Sequence, residues 1–198
     1  MIPELSASSA SSSVEISPVR EDQLKLGLWM FLATVTMLFA AFASAYVVRR
    51  SGSDWLHVPL PPILWWNTLV LAASSVAVEI ANWSGKPEGL HYSRTRAAAA
   101  MLVGLLLGVG FLAGQLEAWR QLRDAGVYLP TSPHSSFFFM LTGAHAVHVV
   151  AALAVLAWGA AGAASIRDQR RRAVRMTICR TFWHYLGVVW LFLFALLY

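Results

Sequence analysis

Five long apolar segments, separated by short polar connections, constrain this chain more than any other feature. Each is about 20 residues or longer, and at about 1.5 Å rise per residue a helix of that length crosses a hydrocarbon layer about 30 Å thick. Core helices of soluble domains are amphipathic and shorter. The sequence therefore predicts an all-α, polytopic transmembrane bundle of five helices within a domain of residues 25–198. The predicted spans are residues 26–48, 63–83, 97–119, 136–163 and 178–198.

The distribution of Lys and Arg predicts how this bundle is oriented. Only 13% of the residues are charged, yet the net charge is +5. Eleven of the 15 Lys and Arg residues fall on the side of the membrane that holds the N-terminus, and the rest are Arg49, Arg50, Arg120 and Arg123. The positive-inside rule then puts the N-terminus in the cytoplasm and Tyr198 outside. The eleven are Arg20, Lys25, Lys86, Arg94, Arg96, Arg167, Arg170, Arg171, Arg172, Arg175 and Arg180.

The same basic residues do not predict a nucleic-acid site. No aromatic residue interrupts the basic segment 167–180. Cations at the inner membrane face act as topology signals and contact anionic headgroups. The Ser-rich residues 1–24 lack both the basic start and the apolar stretch of a signal peptide, so we expect a disordered cytoplasmic tail. Cys179 is the single cysteine, so no disulfide forms within the chain.

Polar side chains at bilayer depth are costly, so they carry most of the functional information. His145 and His148 lie near the middle of the fourth span and, three residues apart, share one helical face. Thr142 continues that stripe. We expect a set of structural intramembrane polar residues, consisting of Glu79, Gln115, Glu117, Thr142, His145, His148 and His184.

Three hypotheses compete for the histidines. A metal site needs a third and usually a fourth ligand, which no other span offers at that depth. A bis-histidine haem would need His145 or His148 to face His184. The hypothesis we favour is that the imidazoles are neutral and hydrogen-bonded to hydroxyl groups on neighbouring helices. The candidate partners are Thr34, Thr36, Ser74 and Ser75.

A proton channel is a further alternative, and it would need a continuous chain of titratable or hydroxyl groups across the membrane. Here the acids lie only near the two ends of the spans. We therefore expect no catalytic, cofactor-binding or metal-binding residues in this chain, which favours a subunit over an enzyme.

Two segments carry a resemblance to a known family. SSFFFMLTGAHAVHVV (135–150) and TFWHYLGVVWLFLFALLY (181–198) are similar to signature patterns of subunit III of the haem–copper oxidases. WWNTLVLAASSVAVE in the second span and FLAGQLEAW in the third support the match. The resemblance covers residues 26–198 and is closest to the short, five-helix bacterial form of the family, which lacks the first two helices of larger members.

The resemblance implies an accessory subunit of a cytochrome c oxidase, in the bacterial inner membrane, with haem and copper held by partner subunits. Such a subunit packs beside the catalytic subunit I among the other oxidase subunits. It binds phospholipids between its helices and supports proton uptake and stability of the oxygen-reducing complex. A quinol oxidase or a nitric oxide reductase-associated relative remains an alternative. A different class is also open, namely an independent cofactor-binding membrane protein or a transporter.

The chain departs from the family pattern at three places. Thr34-Val35-Thr36 stands where the family often has a mid-membrane Glu, Gly187 replaces an Asp, and Ala146 replaces a Gly. The missing acids argue against a proton-collecting role for this chain.

Lipid contacts are the remaining expectation. A juxtamembrane cation contributes about 1 kcal/mol near an anionic surface. Candidate headgroup contacts are Arg94, Arg96, Arg175 and Arg180, and candidate acyl-chain contacts are Trp65, Trp66, Trp183 and Trp190. Ordinary interfacial anchoring is the alternative for both sets.

Overall fold

The computed structural model describes residues 18–52, 55, 60–85, 93–165 and 168–198. These residues form five α-helices and, within the described part, no strand. The helices are α1 (Pro18–Arg50), α2 (Ile63–Ser84), α3 (Arg94–Asp124), α4 (Pro133–Ser165) and α5 (Gln169–Leu197). All five are long and apolar enough to cross a membrane. The predicted all-α class and the number of spans are confirmed.

Most of the helices extend beyond the predicted spans. Helix α2, with 22 residues, matches the hydrocarbon thickness, but α1 and α4 have 33 residues each, about 50 Å. The prediction of a tail over residues 1–24 is wrong for residues 18–24, because α1 begins at Pro18. Proline fits the first turn of a helix, and an existing helix gains one hydrogen bond per added residue. Residues 1–17 of the predicted tail lie outside the described residues.

Local signals account for the helix ends outside the membrane. The Asp168 carboxylate accepts a hydrogen bond from the backbone N–H of Arg170 at 2.9 Å and caps α5. Ser93 caps α3 in the same way. Gly126 follows α3 with a φ of 78°, a left-handed conformation that suits glycine, and its N–H donates to the Arg123 carbonyl at 2.9 Å.

Helices α4 and α5 form the centre of the bundle. Helix α5 contacts α1, α2 and α4, and α2 packs most extensively on α3. Within the described residues α1 contacts only α4 and α5, so it lies at the periphery. Large side chains that are almost fully buried fill the interior, among them Met101, Phe111, Leu141, Leu156, Trp183 and Leu193.

Glycines in α3 allow this close packing. The Ser74 hydroxyl of α2 donates to the Gly104 carbonyl at 2.7 Å. Gly108, one turn further, faces Trp183 and Leu153, and a Cβ there would lie 2.6 and 2.7 Å from their side chains. The small residues of the third span thus let α2 and α4, and the Trp183 side chain of α5, pack closely against α3, as such faces do in membrane bundles.

The antiparallel helices give the bundle two distinct ends. At one end Trp65, near the start of α2, packs against Tyr198 with ring centroids 5.6 Å apart. The same end holds Tyr46, near the end of α1, 5.1 Å from Trp55. We call this the C-terminal end, and the opposite one, which holds the starts of α1, α3 and α5, the N-terminal end.

Candidate functional site

An ionic cluster joins α2 to α5 toward the N-terminal end. The Glu79 carboxylate accepts one hydrogen bond from Arg180 Nε, and its Oε1 atom lies 2.8 Å from Nε2 of the His184 ring. The Asn82 amide lies 3.5 Å from the second carboxylate oxygen. The Arg180 guanidinium and the Glu79 carboxylate compensate each other's charge, which lowers the cost of holding them at the edge of the hydrocarbon.

The sequence predicted both Glu79 and His184 as structural polar residues but missed their pairing. No partner was predicted for His184, and the structure places Glu79 against its Nε2 atom. The sequence indicates Arg180 as a topology signal and a candidate headgroup contact, but not as a partner of Glu79. The partners lie on helices far apart in the sequence. Their pairing depends on how α5 is rotated about its axis relative to α2, and the sequence does not specify that rotation.

His145 lies in the centre of the bundle. It is 1% exposed, and its ring packs between Trp190 of α5, Phe111 of α3 and Phe39 of α1, at centroid distances of 5.4, 6.1 and 6.3 Å. Neither ring nitrogen has a hydrogen-bond partner among the described residues. The predicted hydroxyl partners are therefore wrong for this histidine.

The expected hydroxyl partners bond elsewhere. Thr34 donates to the Met30 carbonyl of its own helix, and Thr36 donates to Leu32 in the same way. Thr36 also contacts the Tyr185 hydroxyl of α5 at 2.8 Å, a link between α1 and α5 that the sequence did not indicate. Helical Thr side chains reach the carbonyl four residues back, and this satisfies them without a histidine.

His148 shares a helical face with His145, but the two rings diverge. Its Nδ1 atom lies 2.7 Å from the Ala144 carbonyl of its own helix, and its ring packs against Phe39 and Phe31 of α1. The expected hydroxyl partner is wrong here too. Across the described residues, no three His, Cys, Asp or Glu side chains come together in a way that could hold a metal ion.

The other predicted polar residues fall into two environments. Thr142 is buried and accepts a hydrogen bond from Trp119 Nε1 at 3.1 Å, which ties α3 to α4. Gln115 is buried without a partner among the described residues. Glu117 instead lies on the exposed face of α3, 3.7 Å from Arg120, because α3 continues past the predicted span to Asp124. Asn67 is also buried, and no sequence pattern indicated it.

Comparison with known proteins places these helices in a family. The family model described as cytochrome c oxidase subunit III matches residues 7–198. The chain belongs to the cytochrome c oxidase subunit III family. A protein of Mycobacterium tuberculosis (strain ATCC 25618 / H37Rv), named "Probable cytochrome c oxidase subunit 3", is 26% identical over 90% of this chain and 89% of its own length.

Two further relatives have similar coverage. "Cytochrome c oxidase subunit 3" of Bacillus sp. (strain PS3) is 26% identical over 87% of this chain and 84% of its own length. "Probable quinol oxidase subunit 3" of Staphylococcus saprophyticus is 27% identical over 88% of this chain and 87% of its own length. The recognition of the subunit III family from the sequence is confirmed, and the chain is an accessory subunit of the haem–copper oxidases.

The departures from the subunit III pattern have clear structural settings. Val35 is 3% exposed and packs in the hydrophobic core. Gly187 lines a groove between α2 and α5, where a Cβ would lie 3.9 Å from Ser75 Oγ. At these two positions the chain has an isopropyl group and a bare backbone, and neither can bind a proton.

The prediction that Trp183 and Trp190 contact lipid acyl chains is wrong. Each is 1% exposed, because these residues lie on the face of α5 that packs against the rest of the bundle. Trp190 donates its indole N–H to Thr68 Oγ1 at 3.0 Å. Trp65 and Trp66 are exposed near the C-terminal end, consistent with contact to the bilayer or a neighbouring subunit.

The four arginine candidates differ in what they already contact. The Arg175 guanidinium lies 4.1 Å from the centre of the Trp158 ring, and Arg180 bonds Glu79. Arg94 lines a small pocket between α2, α3 and α5 together with Arg172. Arg96 is exposed at the start of α3. The N-terminal end of the bundle is therefore strongly basic.

Proposed function

We propose that this chain is the accessory, non-catalytic subunit III of a bacterial terminal oxidase of the cytochrome c oxidase type. The observation that carries the proposal is the family match, which runs through all five helices and covers most of each relative. The polar groups support it, since the charged ones pair with each other and His145 packs among aromatic rings. Haem and copper, and with them oxygen reduction, then belong to partner subunits.

Subunit I is the proposed direct partner, with the other oxidase subunits in the same complex. Helix α1 supports this because it is peripheral and carries large exposed apolar side chains such as Trp29, Met30 and Met37. Mild detergent solubilisation of native membranes, followed by identification of the co-purifying subunits, tests the proposal. We expect a haem–copper catalytic subunit in equal amount. Recovery with partners unrelated to an oxidase would contradict it.

A quinol oxidase is the second candidate, favoured by the relative named as a quinol oxidase subunit. The two differ in the electron donor, which contacts other subunits. Oxygen consumption by the purified complex with reduced cytochrome c and with a quinol, measured side by side, distinguishes them. We expect turnover with cytochrome c.

We propose a multi-pass location in the bacterial inner membrane with the N-terminus in the cytoplasm. The support is the bias of Lys and Arg to the N-terminal end of the bundle. Reporter fusions at Gly126 and Asp168 test it. The fusion at Gly126 should be active outside and that at Asp168 inside, and a periplasmic signal at Asp168 would contradict the orientation.

We propose that phospholipid binds in the groove between α2 and α5. The groove has a volume of about 300 Å³ and runs from His184 to Thr68 and Leu191 between largely apolar walls. Glu79 to Thr68 spans about 16 Å along α2, roughly one leaflet. Arg180 bonds Glu79 through Nε, and a guanidinium has two further nitrogens that can donate to a phosphate.

Support of proton uptake is proposed to act through the assembled complex rather than through a route within this chain. Val35 and Gly187 carry no titratable group, and the ring of His145 is enclosed by Phe39, Phe111 and Trp190. Stability of the catalytic subunit during turnover is then the main contribution of this chain.

A further inference from the structure

Three buried side chains on different helices carry polar atoms with no hydrogen-bond partner among the described residues. Asn67 of α2 is 4% exposed, and Gln115 of α3 and His145 of α4 are each 1% exposed. The amide nitrogen of Asn67, both polar atoms of Gln115 and both ring nitrogens of His145 have no hydrogen-bond partner among the described residues. Unpaired polar groups cost free energy in an apolar interior, and nearly all buried polar groups in folded proteins are hydrogen-bonded.

Two aromatic side chains bring these three residues to one region of the core. The Trp190 ring lies 5.4 Å from His145 and 5.0 Å from Phe111, and its N–H donates to Thr68, which follows Asn67. Phe111 lies one turn from Gln115 on the same face of α3. His145 therefore contacts the indole of Trp190 directly, while Gln115 and Asn67 each lie close to a residue that contacts it.

Helix α3 leaves space for a polar side chain next to Gln115. Gly114 precedes Gln115, and a Cβ at position 114 would overlap the side-chain amide of Asn67. The missing side chain lets the Asn67 amide reach the α3 backbone beside Gln115. An apolar helix contact would not need a glycine opposite an asparagine.

We propose that ordered water molecules occupy this region and bridge Gln115 to Asn67 and His145. A buried water makes two to four hydrogen bonds and both donates and accepts, so it satisfies amides and an imidazole together. Asn67 lies about 6 Å from the start of α2 at the C-terminal end of the bundle, and its amide lies against Gly114, so Gln115 lies at a similar depth. The site therefore fills from the C-terminal end of the bundle. This polar core holds α2, α3 and α4 together and is separate from the cluster around Glu79.

The substitution Gln115→Met tests the proposal. It is measured in the chain as purified from the membrane, together with any subunits that accompany it. Methionine keeps the approximate volume and removes the hydrogen-bonding atoms. Leu122→Met, at a buried apolar position of the same helix, is the matched control. If water bridges Gln115, its replacement lowers the unfolding temperature of the chain by about 2–4 °C relative to the control. An unchanged or raised temperature would mean that Gln115 was unpaired, and would overturn the proposal.

Cryo-electron microscopy at a resolution that reveals ordered water decides between bridging water and a direct bond. We expect density for water within hydrogen-bonding distance of the Gln115 amide and of a ring nitrogen of His145. Density in which the Asn67 and Gln115 amides bond each other directly, with His145 in an anhydrous pocket, would refute the hydrated core.

Discussion

The imidazole of His184 on α5 lies 2.8 Å from the carboxylate of Glu79 on α2, measured from Nε2 to Oε1. Arg180, one turn before His184, donates to the same oxygen. A single carboxylate thus holds two side chains of the last helix, and its loss would leave both without their partner.

Glu79→Gln should weaken the attachment of α5 to α2. The amide keeps the size of the side chain but loses the charge that Arg180 requires. The expected cost is about 1 kcal/mol, because Arg180 is half-exposed and solvent screens the pair. The free energy of unfolding of the chain, or its retention in the complex during detergent washing, measures this.

Glu117→Gln is the matched control, since Glu117 pairs with Arg120 on the exposed face of α3. An exposed pair contributes little, so this variant should behave like the wild type. Equal effects of the two substitutions would contradict a structural role for the Glu79 cluster.

Gly108→Ala should destabilise the bundle. A Cβ at this position would lie 2.6 Å from Trp183 and 2.7 Å from Leu153, so the core must shift to accommodate it. Overpacking of this kind costs about 1–3 kcal/mol. Gly110→Ala is the control on the same helix, because its Cβ would meet only Val70 at 3.8 Å. Thermal unfolding of both variants compares them, and equal stability would argue against the α3–α5 packing.

His145→Leu should reduce the amount of this chain that stays in the purified complex more than His148→Leu does. His145 is enclosed by rings from α1, α3 and α5, whereas His148 bonds its own helix and packs on α1. Glutamine at either position keeps hydrogen-bonding capacity and should leave the initial turnover of the assembled complex largely unchanged. A fully assembled complex that is inactive with glutamine at either position would refute the structural assignment of these histidines.

Arg180→Ala should lower the amount of phospholipid that remains bound to the purified complex. The substitution removes the cation at the inner end of the groove between α2 and α5. Arg123→Ala, at the C-terminal end of the bundle, controls for the general loss of a surface cation. Native mass spectrometry counts the retained lipids, and no difference between the variants would count against a specific site.

The number and positions of the helices follow from the sequence because hydrocarbon admits few other backbone structures. Which side of each helix faces the interior of the bundle cannot be predicted from the sequence in the same way. Trp183 and Trp190 were expected to contact acyl chains, yet both are buried, because an apolar helix in lipid carries no polar stripe to mark its outer side. The pairing of Glu79 with Arg180 was missed for the same reason. The residues beyond the hydrocarbon, such as 120–124 of α3, are helical through propagation, which an apolar pattern does not record.

The central claim, that this chain is a non-catalytic subunit of an oxidase, is tested most directly by its haem content inside and outside the complex. The chain is purified from native membranes in mild detergent through an affinity tag, and the absorbance of the complex is recorded. The chain is then separated from its partner subunits, and its absorbance is recorded again. We predict a strong Soret band in the first preparation, from the catalytic subunit, and none in the separated, folded chain. A stoichiometric haem that stays with the isolated chain would contradict the account.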